Sequence, residues 1–381
     1  MKVLVFWKYY QRYLDFFYKH HFDILDPLNY RKTKDRLLQD HFGWAGDLYL
    51  LMIKKSIDCE YFVINDYTTQ TKWAKENNYI YDENNWELDI AIHQIKKYNP
   101  EIIFTDIGVV DTYQIKFREF VKKVVVWVGA KPGGAINTDD LNVLITDQED
   151  TLASQHKDFE KVIVTYPGFN KSILDQIGPT DKKNDIVFIG SLTYQHLNRI
   201  NILYDLLKKD FPLELYGFMS FPTIKSMQNK KLLSLFSLSG MKKIYNYTTG
   251  RLEGVNKKLK YIADRIKAPI FGMEYYKMIA ETKIIVNIHI DSSGEHSGNM
   301  RMFEATGLGS CLLTDKKERN AQFFDTNTDI VEYQNIEELT YKVDALLNNH
   351  VKLDRIAKNG QNKTASYHTI ERMFSDIIKA F

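Results

Sequence analysis

The chain has 381 residues, of which 44% are hydrophobic and 13% aromatic, and its formal net charge is +2. A chain of this length ordinarily divides into two domains, and this composition can fill two hydrophobic cores. Its only two cysteines, Cys59 and Cys311, argue against a disulfide framework and favour a reducing compartment. Because no Cys/His spacing typical of a metal site and no apolar stretch of transmembrane length occur, we expect a cytoplasmic protein without metal or cofactor.

Apolar runs and helical patterns alternate along the first half of the chain. The apolar runs predict buried strands at 3–6, 59–65, 101–105, 124–128, 142–146 and 161–165. Helical patterns lie among them, for example at 46–55, 86–97 and 112–121. Alternation of this kind is typical of parallel sheets covered by helices, so we predict an α/β fold.

A turn-rich, charged segment at 178–184 predicts a linker. A second alternating set follows, with predicted strands at 185–189, 213–216, 269–271, 283–289, 311–314 and 330–332, and helices at 336–348 and 369–380. We therefore predict two Rossmann-like domains facing a cleft, at 1–177 and 185–366, followed by a terminal helix within 367–381.

The most informative segment follows the predicted strand at 283–289. A small polar loop at 291–299 leads into a short predicted helix at 300–306, which Gly307 and Gly309 terminate. A strand, a glycine-containing loop and an exposed helix N-terminus form an anion site, because unpaired N–H groups and the positive end of the helix dipole point at the ligand. Glu304 lies one turn into this helix, where its carboxylate can accept hydrogen bonds from ribose hydroxyls.

Residues 299–307, with the sequence NMRMFEATG, resemble the donor-site helix of GT-B glycosyltransferases, and more narrowly the bacterial CgeB-like group. The resemblance implies two facing Rossmann-like domains, a last helix that crosses back to the first domain, and a nucleotide-diphosphate sugar as donor. In the related retaining family-four enzymes, two glutamates with seven residues between them contact the sugar and the ribose. Glu304 matches the second glutamate, whereas Glu295, with eight intervening residues, is a displaced match to the first.

The same resemblance implies that the leaving diphosphate is held by backbone amides and cationic side chains rather than by a metal. The residues that we expect to bind the donor are Gly190, Ser191, Arg199, Gly298, Asn299, Met300 and Glu304, with Tyr276 stacking on the base. Arg301 is expected to stabilise the growing phosphate charge; an ion pair with Glu304, three residues later on the helix, is the alternative.

Two more residues are candidates for the catalytic step. His296, beside Glu295, can contact the sugar or transfer a proton, since a neutral imidazole titrates near pH 7. Asp106 follows a predicted strand of the first domain and points to the rim where ligands of such sheets bind. The first domain is expected to recognise the acceptor, a glycan, a lipid-linked sugar or a protein.

The segment 225–267 is a basic insert, with eleven lysines or arginines against two acidic residues. Its amphipathic pattern is compatible with peripheral contact to an anionic membrane face, with attraction of an anionic acceptor, or with a solvated helical face. Because no nucleic-acid-binding motif accompanies the charge, we expect no nucleic acid.

The predicted function is therefore sugar transfer from a nucleotide-diphosphate donor, with retention of configuration, in surface-polysaccharide or glycoconjugate synthesis. Two alternatives stay open, a nucleotide-sugar epimerase of the same fold and a non-catalytic nucleotide-sugar-binding subunit. An oxidoreductase is disfavoured, because no GxGxxG follows either predicted first strand.

Overall fold

The computed structural model describes residues 1–25, 27–129, 136–147, 157–193, 195–221 and 238–381, with the side chains of 238–249 and 251 excepted. The chain forms two compact units. The first unit comprises residues 1–178, 271–276 and 364–381, and the second comprises residues 179–270 and 277–363.

The first unit is built on a six-stranded parallel sheet in the order β2-β1-β3-β4-β5-β6. Its strands are β1 (Lys2–Trp7), β2 (Asp58–Val63), β3 (Ile102–Asp106), β4 (Lys123–Val128), β5 (Val143–Thr146) and β6 (Lys161–Val164). β3 and β4 are buried along almost their whole length, as expected for strands covered by helices on both faces.

Helices of the first unit connect or flank these strands. They are Gln11–Leu25, Tyr30–Leu38, Trp44–Lys54, Tyr67–Glu76, Trp86–Tyr98, Ile107–Tyr113, Ser172–Ile177 and Ile370–Ile377, with 3-10 turns at Phe117–Glu119 and Ile378–Ala380. On one side of the sheet they bury a core that includes Phe6, Phe62, Ile95 and Phe117.

The C-terminal segment returns to this unit, as the fold prediction requires. Phe169 forms a parallel bridge with Thr369, and its amide donates to the His368 carbonyl at 2.8 Å. Gly168 is needed here, because a Cβ would lie 2.3 Å from the Thr369 carbonyl oxygen. Lys123 Nζ donates to the Phe381 carbonyl at 2.9 Å and holds the last residues against β4.

The second unit has a six-stranded parallel sheet of its own, in the order β12-β11-β10-β7-β8-β9. Its strands are β7 (Asn184–Ile189), β8 (Glu214–Tyr216), β9 (Ile266–Lys267), β10 (Thr282–Asn287), β11 (Cys311–Asp315) and β12 (Val331–Tyr333). Its helices are Leu197–Lys208, Leu238–Ala263, Gly272–Ala280, Met300–Gly307, Ile336–Leu347 and His350–Tyr367, with 3-10 turns at Asp291–Ser293 and Glu318–Gln322. The first residues of the helix Gly272–Ala280 and the last of His350–Tyr367 group with the first unit.

The predicted fold class, α/β with two Rossmann-like domains, is confirmed by these two sheets. Two predicted elements are wrong. The helix at 112–121 lies instead at Ile107–Tyr113, because Asp106 caps it by accepting from the Val109 amide at 2.8 Å. The strand at 269–271 lies instead at Ile266–Lys267, in accord with the missing N–H of Pro269.

The basic insert is described only in part. Residues 222–237 lie outside the described part of the chain, and the rest forms the helix Leu238–Ala263 and β9. Within the described residues, no helix combines the length and the apolar character that a membrane crossing requires.

Candidate functional site

The sheet of the second unit reverses its direction of winding at β7 and β10. These two strands are neighbours, but the chain proceeds from β7 toward β8 and from β10 toward β11, on opposite sides. Open parallel sheets bind ligands in the crevice that such a reversal leaves at the carboxyl ends of the strands. The segments that begin there are 190–193 and 288–299.

The segment after β10 is built to present a helix N-terminus. Asn299 is the N-cap of Met300–Gly307, and its side chain accepts from the Met302 amide at 3.3 Å. Its Nδ2 also donates to Asn287 Oδ1, at 3.1 Å, which ties the cap to the end of β10. Gly298 has φ +91°, a conformation in which L side chains are strained, so glycine fits this position. The predicted strand, loop and helix are thus present at 282–307.

Two arginines hold the segments after β7 and β10 together. Arg199 is 8% exposed and donates to the carbonyl oxygens of Ser191, at 2.9 Å, and of Ile288, at 2.6 Å. Arg301 donates to the carbonyl oxygen of Ile189, the last residue of β7. Burial, and secondly the charge of Arg301, lower the pKa of Arg199 to about 10, so the guanidinium remains charged at neutral pH.

The predicted phosphate ligands therefore contact backbone carbonyls in this structure. Arg199 joins two segments that lie 97 residues apart, which makes it a positioning residue. Arg301 also lies within 3.9 Å of Glu304 through its Nε, so the intrahelical pair is present as well. The ribose and phosphate roles of these residues stay predictions.

Glu304 is buried in the helix Met300–Gly307, with 9% of its surface exposed. A carboxylate in that position, next to Arg301, is sheltered from water and close to the helix N-terminus. This environment suits a group that accepts hydrogen bonds from ligand hydroxyls.

Glu295 and His296 lie on the outer part of the same loop. Glu295 is exposed, and its carboxylate accepts from the Glu318 amide at 3.3 Å. His296 Nδ1 lies 3.4 Å from Arg319 Nη1, and Lys317 donates to the carbonyl of Gly294. The loop is thus attached to the 3-10 turn Glu318–Gln322, and the catalytic roles predicted for both residues stay predictions.

Gly190 and Ser191 form the turn after β7. The Gly190 amide donates to Tyr216 O at 2.9 Å, so it is paired within the sheet. A Cβ on Gly217 would lie 1.9 Å from the Gly190 carbonyl oxygen, so the turns after β7 and β8 approach closely only because residue 217 is glycine.

Two features of this region were not anticipated from the sequence. The Asp291 carboxylate accepts from the amides of Leu197 and Asn198, at 2.8 and 3.2 Å, and so caps the helix Leu197–Lys208. His289 is 4% exposed and pairs through Nδ1 with Asp315 at 2.7 Å. Burial alone would raise the pKa of Asp315, but the hydrogen bonds and charge of His289 outweigh it and lower that pKa.

Three buried polar atoms, one of Arg199 and two of the segment 288–299, have no hydrogen-bond partner. They are Arg199 Nε, His289 Nε2 and Ser297 Oγ. Each unpaired buried group costs about 1–3 kcal/mol, so a polar ligand or water that paired with these atoms would be stabilising. No spacing in the sequence marks these atoms, because each is defined by what surrounds it.

Two predicted site residues belong to the first unit. Tyr276 is buried, and its hydroxyl donates to the His41 carbonyl at 2.8 Å while its ring packs edge-on against Tyr275. Asp106 caps a helix at the end of β3, and burial raises its pKa to about 6. The crevice residues belong to the second unit, and the roles predicted for Tyr276 and Asp106 stay predictions. Among the described residues, no group of three or more His, Cys, Asp or Glu could hold a metal ion.

The chain is similar in sequence to one protein family and similar in fold to several solved structures. Residues 237–379 match the family model described as Glycosyl transferase-like. No curated protein matches the chain. Among solved structures, the chain is similar to HepE of Anabaena in complex with UDP-glucose, with a TM-score of 0.56 and 11% identity over 100% of both chains.

Two other solved structures have the same fold. Sucrose-phosphate synthase of Thermosynechococcus elongatus has a TM-score of 0.54 and 10% identity, over 100% of this chain and 98% of that one. A glycosyltransferase of Rickettsia africae has a TM-score of 0.51 and 13% identity, over 99% and 97%. The chain therefore has the fold of GT-B glycosyltransferases, and its residues 237–379 match a glycosyl transferase-like family, as the resemblance at 299–307 predicts.

Proposed function

We propose that this protein is a glycosyltransferase whose second unit binds a nucleotide-diphosphate sugar and whose first unit recognises the acceptor. The observation that carries the proposal is the crevice after β7 and β10. There a capped helix N-terminus follows β10, and two arginines donate to backbone carbonyls of the segments after both strands, in a fold that glycosyltransferases share. Arg199, His289 and Ser297 each also have a buried polar atom without a hydrogen-bond partner.

The residues of the crevice suit the departure of a diphosphate. In transfer, the bond from the sugar C1 to the phosphate oxygen breaks and a bond from C1 to the acceptor oxygen forms. The acceptor proton passes to the departing phosphate oxygen, so that no enzymic nucleophile is needed and configuration is retained. The amides of Asn299 and Met300 and the cation of Arg301 would stabilise the charge that grows on the diphosphate.

Glu304 would orient the donor rather than take part in bond making. Its buried carboxylate can accept two hydroxyl hydrogen bonds from the ribose, and removal would leave those hydroxyls without partners. The structure of HepE contains UDP-glucose, which makes a uridine donor the first one to test.

One observation favours a second candidate, a nucleotide-sugar-binding protein without transferase activity. Glu295, the displaced counterpart of the sugar-contacting glutamate, is exposed and accepts a hydrogen bond from the Glu318 amide. Binding without turnover in the presence of acceptors would favour this candidate.

The deciding experiment is a thermal-shift screen of the protein against UDP, GDP, CMP, dTDP and their sugars. A ligand at a hundredfold excess over its dissociation constant adds roughly 2.7 kcal/mol to the free energy of unfolding, which gives a clear shift. We expect one nucleotide to stand out, and Glu304→Ala to reduce its affinity by about tenfold or more.

The matched control is Glu371→Ala, which removes an exposed carboxylate of the first unit and should leave the shift unchanged. If no nucleotide stabilises the protein at millimolar concentration, the proposed donor site is wrong. An equal response in Glu304→Ala and the unchanged protein would remove Glu304 from the site.

A further inference from the structure

The first unit contains a pocket that the donor site does not use. Its volume is 470 Å³, and it is lined by the helix Gln11–Leu25 and by the segment that follows β2, residues 65–72. Small-molecule sites typically occupy about 300–1,000 Å³. The pocket lies at the carboxyl end of β2, the edge of the sheet where ligands of parallel sheets bind.

The interior of the pocket carries a carboxylate with spare hydrogen-bonding capacity. Asp66 is 1% exposed, and its Oδ2 accepts from the hydroxyls of Tyr18, at 2.8 Å, and Thr69, at 2.6 Å. Its other oxygen, Oδ1, is buried without a hydrogen-bond partner. A hydroxyl donor entering the pocket would satisfy an acceptor that the protein leaves unpaired.

The charge of the pocket disfavours an anion. Asp15 contributes a second carboxylate, which accepts from Gln11 Nε2 at 3.0 Å. The one cation among the lining residues, Lys72, donates to the carbonyl oxygens of Leu25 and Leu28, both at 2.7 Å. Because that ammonium is directed to the backbone, phosphate and nucleotide ligands would meet mainly negative groups.

Two aromatic rings at the pocket are exposed. Phe22 is 64% exposed and Tyr67 is 52% exposed. Tyr67 is supported from the side by Trp86, edge-on at a centroid distance of 5.2 Å. Exposed rings that line a polar pocket offer flat apolar faces on which a ligand can stack.

We propose that this pocket binds one neutral sugar unit of the acceptor. This inference rests on the proposed transferase function, because only a transferase has an acceptor. A pyranose has hydroxyls around its edge and C–H groups on its faces. The hydroxyls match the carboxylates and the side chains of Gln11 and Thr68, and a C–H face matches the exposed rings. Phe22 and Tyr67 would stack on the sugar, and Asp66 and Asp15 would accept from its hydroxyls.

The test is saturation-transfer difference NMR and calorimetric titration with methyl glycosides of glucose, galactose, N-acetylglucosamine, mannose and rhamnose. We expect at least one glycoside to bind. Phe22→Ala and Tyr67→Ala should each weaken it about tenfold, because each removes one stacking surface. Both side chains are exposed, so the variants should fold as the unchanged protein does.

Tyr341→Ala is the matched control, since it removes a ring that is 72% exposed in the second unit. It should leave the glycoside affinity unchanged. Choline is tested in parallel and should not bind. The proposal would be overturned if choline bound and no glycoside did. It would also be overturned if glycoside binding survived both ring substitutions.

The nucleotide screen on the same variants separates this proposal from the proposed function. Phe22→Ala and Tyr67→Ala should keep the full nucleotide response. Loss of the glycoside signal in these variants, together with a retained nucleotide shift, supports the pocket. Absence of any glycoside binding in a protein that responds to nucleotide overturns the pocket and leaves the donor site standing.

Discussion

Both units contain a six-stranded parallel sheet with one reversal of strand order, but the strand orders differ, and so do the residue types at the reversal. In the first unit this point lies at β1 and β3, and aromatic rings surround it. Trp44 packs edge-on against Trp7, at 5.0 Å, and against Trp127, at 4.9 Å. In the second unit it lies at β7 and β10, where arginines, asparagines and glycines are found instead.

The buried carboxylates of the two units also differ in the direction in which their pKa values are shifted. Burial raises the pKa values of Asp40, Asp66 and Asp106, which all belong to the first unit. In the second unit, His289 lowers the pKa of Asp315 despite its burial. The fold thus determines where a ligand can bind, and the residue types at each reversal determine which ligand is suitable. On the two proposals above, we expect the first unit to bind a neutral ligand and the second to bind an anion.

The largest expected effect tests the aromatic side of this comparison. Trp44→Ala should lower the free energy of unfolding of the first unit by about 3–5 kcal/mol, because it removes a buried ring and leaves a cavity. All five tryptophans belong to this unit, so urea unfolding followed by tryptophan fluorescence reports on it alone. Trp44→Phe should lose less, and a loss below about 1 kcal/mol for Trp44→Ala would show that the cluster is not a stabilising core.

An intermediate effect tests the polar side. Arg199→Ala should lower the free energy of unfolding by about 3 kcal/mol, because the carbonyls of Ser191 and Ile288 lose a charged donor. Hydrogen exchange should then become faster at the ends of β7 and β10, and the nucleotide response should weaken. Arg199→Lys keeps the charge but cannot span both carbonyls, so its free energy of unfolding should lie between those of the unchanged protein and Arg199→Ala. Unchanged exchange with a lost nucleotide response would instead make Arg199 a ligand contact.

The smallest effect concerns pH. Since the pKa of Asp106 in the folded protein is about 6, above the unfolded value of about 3.9, its ionisation opposes folding. The contribution of Asp106 to the free energy of unfolding should be most favourable below about pH 4, fall as pH rises to about 6 and then level off. Asp106→Asn keeps a capping side chain and should be more stable by about 1 kcal/mol at pH 7, with little difference at pH 4. The exposed Asp175→Asn is the control, and a difference that is the same at every pH would contradict the assignment.

Local patterns predicted the elements around the candidate site well. The apolar run before Asn287, the polar loop at 291–299 and the glycines at the end of the helix are all local in sequence, and the structure has β10 and the helix Met300–Gly307 there. The helix predicted at 112–121 is wrong for a local reason too, because the side chain of Asp106 caps a helix that begins at Ile107 and ends at Tyr113.

Contacts across long sequence separations could not be predicted. Arg199 is paired with the carbonyl of Ile288, Asp291 caps a helix that begins at Leu197, and His289 is paired with Asp315. Each of these depends on which strands become neighbours in the sheet. For the same reason the pocket of the first unit, formed by residues 11–25 and 65–72, has no signature in the sequence.

The return of residues 364–381 to the first unit has a consequence for biosynthesis. The bridge of Phe169 to Thr369, and the contact of Lys123 with Phe381, cannot form until the end of this segment has left the ribosome. At roughly 5–20 residues per second, translation from Gly178 to Phe381 takes on the order of 10–40 s, during which this part of the first unit remains uncovered. A nascent chain of this protein should therefore need protection from aggregation longer than one whose N-terminal domain is complete when it emerges.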